Sequence, residues 1–336
     1  MTRDRVRMLV ALCALLALPS VAVASTSGKT AIPSKPEPGT FQMGIEPWLG
    51  YGPWRIAEQN KLFAKQGMSV KITNFDTDDQ INAALVAKRL DGANIATHTA
   101  LRLAAAGLPI TIVLLLDQST TADAILGGPK TPTIKSLKGK SVAYEPGTTS
   151  DILLRYALAQ NGMKFSDIKA VSTPAANAGV AALAGKVDAA VTYEPYLTTA
   201  LNQHKGFKLI YTAAKNPGLI GDVFVVRNDV LAKKPGQILA LIKSWGAAVG
   251  QYRTNKGPSQ AIITKAVGAK PGDLTTAFNG VILYNLAQNE SQLHGAYIKK
   301  TIVDVKRIAT QAGLIKGTID LSKLIDTSFV DAAAKG

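Results

Sequence analysis

The chain has 336 residues, 47% of them hydrophobic, with one cysteine, three histidines and a formal charge of +15. That length and apolar content suffice for one large core or two of ordinary size, which excludes a disordered polypeptide. The lone cysteine excludes an internal disulfide, and the lysines are scattered without interleaved aromatics, which excludes a nucleic-acid-binding stripe.

In chain order, "MTRDRVR" is a basic opening and "MLVALCALLALPSVAVA" an apolar run that ends in Ala22-Val23-Ala24, the pattern of an export signal. The run is short for a membrane span and contains Pro19, so residues 1–24 are expected to be a signal peptide cleaved after Ala24. Cys13 lies inside it, behind Leu12, a residue too bulky for lipoprotein cleavage. The exported chain therefore has no thiol, no thiolate metal site and no cysteine nucleophile. The signal carries three Arg and one Asp, leaving +13 on a surface of solvated lysines. Residues 25–40, rich in Pro, Gly, Ser and Lys, are expected to be a flexible leader.

Folding starts near Phe41. Apolar runs alternate with amphipathic segments: "FQMGI", the helix "GPWRIAEQNKLFAKQG" with Ile56, Leu62 and Phe63 on one face and Gly67 as its stop, then "MSVKITNF". A helix "TDDQINAALVAKRLDG", capped by Thr77 or Asp78, leads to the strand "ANIAT", the helix "TALRLAAAG" and the strand "ITIVLLL". From Ser141 the pattern restarts with "SVAY", "TSDILLRYALAQNG", "IKAVS", "NAGVAALAGK", "DAAVTY", "PYLTTALNQ" and "FKLIYT". Two copies of one α/β pattern predict two lobes, each a mostly parallel sheet flanked by helices, joined by crossings near residues 121–128 and 220–231. The expected boundaries are 41–123 for the first part of lobe 1, 124–223 for lobe 2 and 224–336 for the return to lobe 1. That return should be almost wholly helical, "DLTTAFNGVIL" (residues 273–283) included.

In an open parallel sheet, ligands bind beyond the carboxyl ends of the strands. "YEPGTTSD" (residues 144–151) and "YEPYLTTA" (residues 193–200) both fall there, with Pro146 and Pro195 expected to start the following helices. Thr148, Thr149 and Ser150 then offer hydroxyl and N–H donors at a helix N-terminus. "IEPWLGYGPW" (residues 45–54) puts Glu46, Trp48 and Tyr51 at a third corner, where Gly50 and Gly52 permit close backbone approach. "ATHTALR" puts Thr97, His98 and Thr99 at a fourth. The competing readings are helix caps for Thr148 and Thr99 and core packing for Trp48. His98, His204 and His294 lie far apart in sequence, without acidic partners at metal spacing, and no Walker loop, GxGxxG turn or nucleophile elbow occurs. Neither a catalytic residue, a metal site nor a cofactor is expected.

Taken in order, "WLGYGPWRIAEQNKLFAKQGMSV", "LVAKRLDGANIAT", "GLPITIVLLLDQSTTADAIL", "IKSLKGKSVAYEPGTTSDILLRYAL", "AALAGKVDAAVTYEPYL" and "PGLIGDVFVVRNDVL" make the chain resemble the periplasmic substrate-binding proteins of ABC importers in the nitrate/sulfonate/taurine group. The resemblance spans nearly all of residues 41–330. It implies the two-lobed periplasmic binding protein fold (type II), a hinge of two crossover segments, a small-molecule solute, a monomer in the periplasm and a cognate ABC permease in the inner membrane. It also implies a cleft lined by Trp48, Tyr51, His98, Asp117, Thr148, Thr149, Glu194 and Asp222, to which the residues themselves add Tyr193.

Glu46, Asp117, Glu145, Glu194 and Asp222 all fall at strand ends or crossings, and no Lys or Arg lies at those corners. A bare anion should not be met by carboxylates, so the solute is expected to carry a positive centre. A taurine-type zwitterion would place its sulfonate on the Thr148 turn and its ammonium on Glu194 or Asp222, with Trp48 or Tyr193 offering a π face. A guanidinium-type cation, a thiamine-pyrimidine precursor, or an enzyme on the same fold are the alternatives. Pairing of the acids with Arg155 or Arg102 is the structural one.

Overall fold

The computed structural model describes residues 32–203 and 206–335. The expected signal peptide, the first seven residues of the leader and His204 lie outside the described residues. Eleven strands form two sheets: β1 (Thr40–Ile45), β2 (Ser69–Asn74), β3 (Gly92–Ala96), β4 (Ile110–Ser119), β5 (Asp123–Gly127), β6 (Ser141–Tyr144), β7 (Lys169–Ser172), β8 (Ala189–Tyr193), β9 (Lys208–Thr212), β10 (Gly221–Arg227) and β11 (Val281–Leu283). The six-stranded sheet of the first lobe has the order β11-β4-β10-β3-β1-β2, and the five-stranded sheet of the second has β7-β6-β8-β5-β9.

Between the strands lie α1 (Gly52–Gln59), α2 (Leu62–Lys65), α3 (Asp78–Val86), α4 (Thr97–Ala105), α5 (Thr149–Gln160), α6 (Ala175–Leu183) and α7 (Tyr196–Gln203). The C-terminal third holds α8 (Asn228–Lys233), α9 (Pro235–Thr254), α10 (Lys256–Ala266), α11 (Leu286–Leu293), α12 (Ile302–Gln311), α13 (Leu321–Leu324) and α14 (Ser328–Ala334). α1 packs on α9 and α10, and α14 on α9 and β4, so this third covers the first sheet.

Both sheets repeat one device. β1, β2 and β3 pair in parallel, and β10 inserts antiparallel between β3 and β4. β6 pairs in parallel with β7 and β8, and β5 inserts antiparallel between β8 and β9. Each inserted strand is the one that has just crossed from the other lobe. The chain changes sheets at residues 120–122 and again at 213–220; the stretches expected to be crossings are largely the strands that follow. The two passages lie side by side, with Ser119 N donating to Ile220 O at 3.1 Å and Ala214 N to Thr120 O at 2.6 Å.

The core explains the placement. Trp54 and Trp245 are fully buried with ring centroids 4.8 Å apart, and Trp54 Nε1 donates to Asn94 Oδ1, which fixes α1 over β3. Gly92 begins β3 because a Cβ there would stand 2.7 Å from the carbonyl of Val225. Asn289 on α11 bonds both N and O of Leu115, pinning that helix to β4.

Four local expectations are corrected. The helix of residues 52–67 breaks into α1 and α2 at Lys61, whose φ of 55° interrupts the ladder, although Ile56, Leu62 and Phe63 are buried together. α3 is capped by the Thr77 side chain but stops at Val86, because Lys88 turns to φ 58°. "DLTTAFNGVIL" is not a helix: it turns at Ala277–Gly280 and becomes β11, which pairs antiparallel with β4 and completes the sheet edge. Residues 32–39 are docked, not loose. α9 has no side-chain cap of its own, and Glu37 accepts from the N–H groups of Gly236 and Gln237 at 3.0 and 2.9 Å.

Candidate functional site

The carboxyl ends of β1, β6 and β8 converge on one narrow chamber between the lobes, with a cavity volume of about 30 Å³. The first lobe lines it with Glu46, Trp48, Tyr51, Asp78, Ala96, Ile220 and Asp222, and the second with Asp123, Glu145, Thr148, Thr149 and Tyr193. Neither Lys nor Arg is among them.

The corner after β1 folds tightly because Gly50 sits against the acid behind it. A Cβ at residue 50 would lie 2.0 Å from Asp117 Oδ2 and 2.3 Å from Trp48 Nε1. That closeness lets Trp48 Nε1 donate to Asp117 Oδ2 at 3.1 Å and hold the indole at the chamber wall. Tyr193 stands edge-on to Trp48, with centroids 5.8 Å apart at 88°, and Tyr196 edge-on to Tyr193 at 5.5 Å. The rings meet edge to face at 88° and 65°, a corner suited to a cation.

The acids are arranged in contact. Asp222 on β10 is opposite Asp117 on β4 in the sheet register, and the Asp117 charge acts on it. Asp78 is likewise the charge that acts most on Glu46. Burial holds all of these carboxyls above the usual range, reinforced by neighbouring acids. Asp117 is pushed up to about 8, Asp123 and Glu145 to about 7, and Glu46, Asp78 and Asp222 are also raised. Hydroxyl and N–H partners work against the rise at Asp123 and Glu145: Asp123 bonds Ser119 and Thr149, and Glu145 Oε2 accepts from Ala175 N at 2.9 Å.

The donors expected for an anion are engaged locally. Thr148 caps α5, accepting from Ser150 N, and its hydroxyl donates to the Glu145 carbonyl at 2.9 Å. Ser150 Oγ donates to the same carbonyl and accepts from Glu145 N. Gly147 N donates to Asp151, which Arg155 pairs at 2.6 Å.

Residues 34–266 match the model of the NMT1-like family. The chain belongs to that family. A candidate aliphatic sulfonates-binding protein of Escherichia coli K12 is 26% identical to this NMT1-like protein over 262 residues, 77% of this chain and 78% of its own. The periplasmic aliphatic sulphonate binding protein SsuA from Escherichia coli superposes with a TM-score of 0.72 at 21% identity, covering 88% of this chain and 100% of that one. The periplasmic nitrate-binding protein NrtA from Synechocystis PCC 6803 does so with a TM-score of 0.74 at 19% identity, covering 90% and 89%. At these identities the superpositions establish the periplasmic binding protein fold.

Of the residues singled out in the NMT1-like sequence, Trp48, Tyr51, Thr148, Thr149, Tyr193 and Asp222 line the chamber together. Asp117 stands behind Asp222. Glu194 turns to its own helix, accepting from Thr198 N at 3.1 Å and Thr198 Oγ1 at 2.8 Å. His98 bridges the lobes: its Nε2 donates to the Gly147 carbonyl at 3.3 Å, its Nδ1 is unpartnered, and burial, helped by Arg102, lowers its pKa to about 4. The Arg102 guanidinium faces Gly147 and favours the charged form of Asp78. Pro146 does not start a helix, since α5 begins at Thr149 after the Thr148 cap, whereas α7 does begin just past Pro195.

Asp78 and Asp123 escaped the sequence reading as site residues. Asp78 looks like first-turn helix decoration, and Asp123 sits in a stretch expected to be a connector. The available signal was position: each is an acid just past a strand or crossing at the cleft end. Among the described residues no group of three or more His, Cys, Asp or Glu could hold a metal ion, and no helix is long and apolar enough to cross a membrane.

Proposed function

We propose that this protein is the solute-binding component of an ABC importer. It is exported to the periplasm, closes its two lobes as a monomer on a small solute with a positive, N–H-bearing centre, and delivers that solute to a permease in the inner membrane. The observation that carries this reading is the lining of the chamber: five carboxyl groups and three aromatic rings, drawn from both lobes, with no Lys or Arg. A cation with N–H donors satisfies the acids and the ring faces at once. The side-by-side crossings supply two strands about which the lobes turn.

Relatives named for sulfonates and nitrate would favour an anion. Against that, a bare anion beside these acids in their ionised form costs several kcal/mol, and the hydroxyls of Thr148 and Ser150 are committed to the Glu145 carbonyl. A taurine-type zwitterion is the second reading, favoured by Thr148 and Thr149 on the lining. Guanidinium-type and aminopyrimidine solutes fit the acids without needing an anion pole. Catalysis forms no part of the proposal: His98, which bridges the lobes, bonds a backbone carbonyl and no nucleophile.

A thermal-shift screen tests this. Amines, guanidines, aminopyrimidines, taurine, plain alkanesulfonates and nitrate are compared, since a solute at a hundredfold its Kd adds ~2.7 kcal/mol of stability. N–H cations should raise the midpoint while plain sulfonates and nitrate leave it unchanged. The opposite pattern overturns the reading.

A further inference from the structure

Four of the acids in and just behind the chamber wall fall into two neighbouring pairs, with Asp123 and Glu145 beside them on the second lobe. Glu46, on the turn after β1, lines the chamber beside Asp78 in the first turn of α3; Asp222 on β10 lies opposite Asp117, its register partner across the sheet. On the chamber wall one solvent-shielded oxygen, Glu46 Oε1, has no hydrogen-bond donor, and behind Asp222 the Asp117 Oδ1 has none either. The pairs also have different aromatic neighbours. Trp48 Nε1 bonds Asp117, and Asp222 is the charge that acts most on Tyr51, whereas Glu46 is the charge that acts most on Tyr193.

Two neighbouring carboxyl groups cannot both ionise cheaply without a positive partner; Arg102 favours the charged form of Asp78 from outside the lining, and the remaining acid of each pair takes either a proton or a donor cation. One positive centre answers one pair and leaves the other dependent on a proton. A quaternary ammonium would meet the rings but bring no N–H to the donor-less oxygens.

We propose that the solute carries two positive, N–H-bearing centres, one for each acid pair, joined by a short apolar chain that lies against Trp48, Tyr51 and Tyr193. A short aliphatic diamine or bis-guanidine has this form. The inference rests on the cationic-solute reading above and narrows it.

Calorimetry on the purified protein near pH 8 compares 1,4-diaminobutane with 1-butylamine, the monocation of equal chain length, and with choline. The diamine should bind about 100-fold tighter than butylamine, the worth of one further charge-assisted pairing. Asp222→Asn and Glu46→Gln should each bring the diamine down to about the affinity of butylamine, with folding checked by circular dichroism. The ligand comparison needs no variant, so a variant that fails to fold leaves the test intact. Butylamine or choline binding within about threefold of the diamine overturns the two-centre solute while the cationic reading stands. A diamine that fails to bind at millimolar concentration while a monocation binds overturns it equally. If no amine or guanidine binds and a plain sulfonate does, both fall.

Discussion

Asp117→Asn isolates the cost of holding acids in contact inside the cleft. Asp117 is buried, receives the Trp48 Nε1 bond and lies against Asp222, and its pKa is pushed from the usual 3.8 up to about 8, first by burial. The sign follows from linkage. A carboxyl whose folded pKa is raised contributes its full stability only below the unfolded value, and that contribution is lost as pH climbs from about 4 through about 8. Each pH unit in that window costs ~1.36 kcal/mol, so between pH 5 and pH 8 wild type should lose about 4 kcal/mol through this group, or about 2 if Asp222 shares the proton. Asparagine has nearly the same shape, still accepts from Trp48 and can donate to Asp222, yet does not titrate. In urea denaturation, wild type and Asp117→Asn should therefore differ little at pH 5 and diverge in favour of the variant by ~2–4 kcal/mol at pH 8. A stability difference that does not change with pH, or a variant less stable at pH 8, would refute the reasoning.

Gly50→Ala should destabilise by ~1–3 kcal/mol in the same assay, because its Cβ would stand 2.0 Å from Asp117 Oδ2 and 2.3 Å from Trp48 Nε1. Affinity for a cationic solute should rise about tenfold between pH 6 and pH 8 by calorimetry, as Asp123 and Glu145, both near 7, give up their protons; a flat profile would show that neither acid meets the solute. Glu37→Ala should cost ~1 kcal/mol in thermal unfolding by exposing the uncapped N–H groups of Gly236 and Gln237, with solute affinity unchanged. Thr148→Ala should cost a similar ~1 kcal/mol as a lost α5 cap, read by urea unfolding.

The sequence by itself determined the local features. The apolar runs and caps place β1, β3, β6 and β8, the Thr77 and Thr148 caps are legible, and the acids after β1 and β6 follow from where strands must end. These depend on neighbours within one turn or one strand, which spacing records. Only the tertiary structure decided what depends on distant partners. β10 and β5 enter the opposite sheets antiparallel, and Val281–Leu283 becomes a strand because β4 offers an edge to pair with. Glu194 turns to Thr198 instead of the chamber, while Asp78 and Asp123 reach the chamber from a helix start and a crossing. Facing acids such as Asp117 and Asp222 come from strands over a hundred residues apart, and nothing short of the sheet register brings them together.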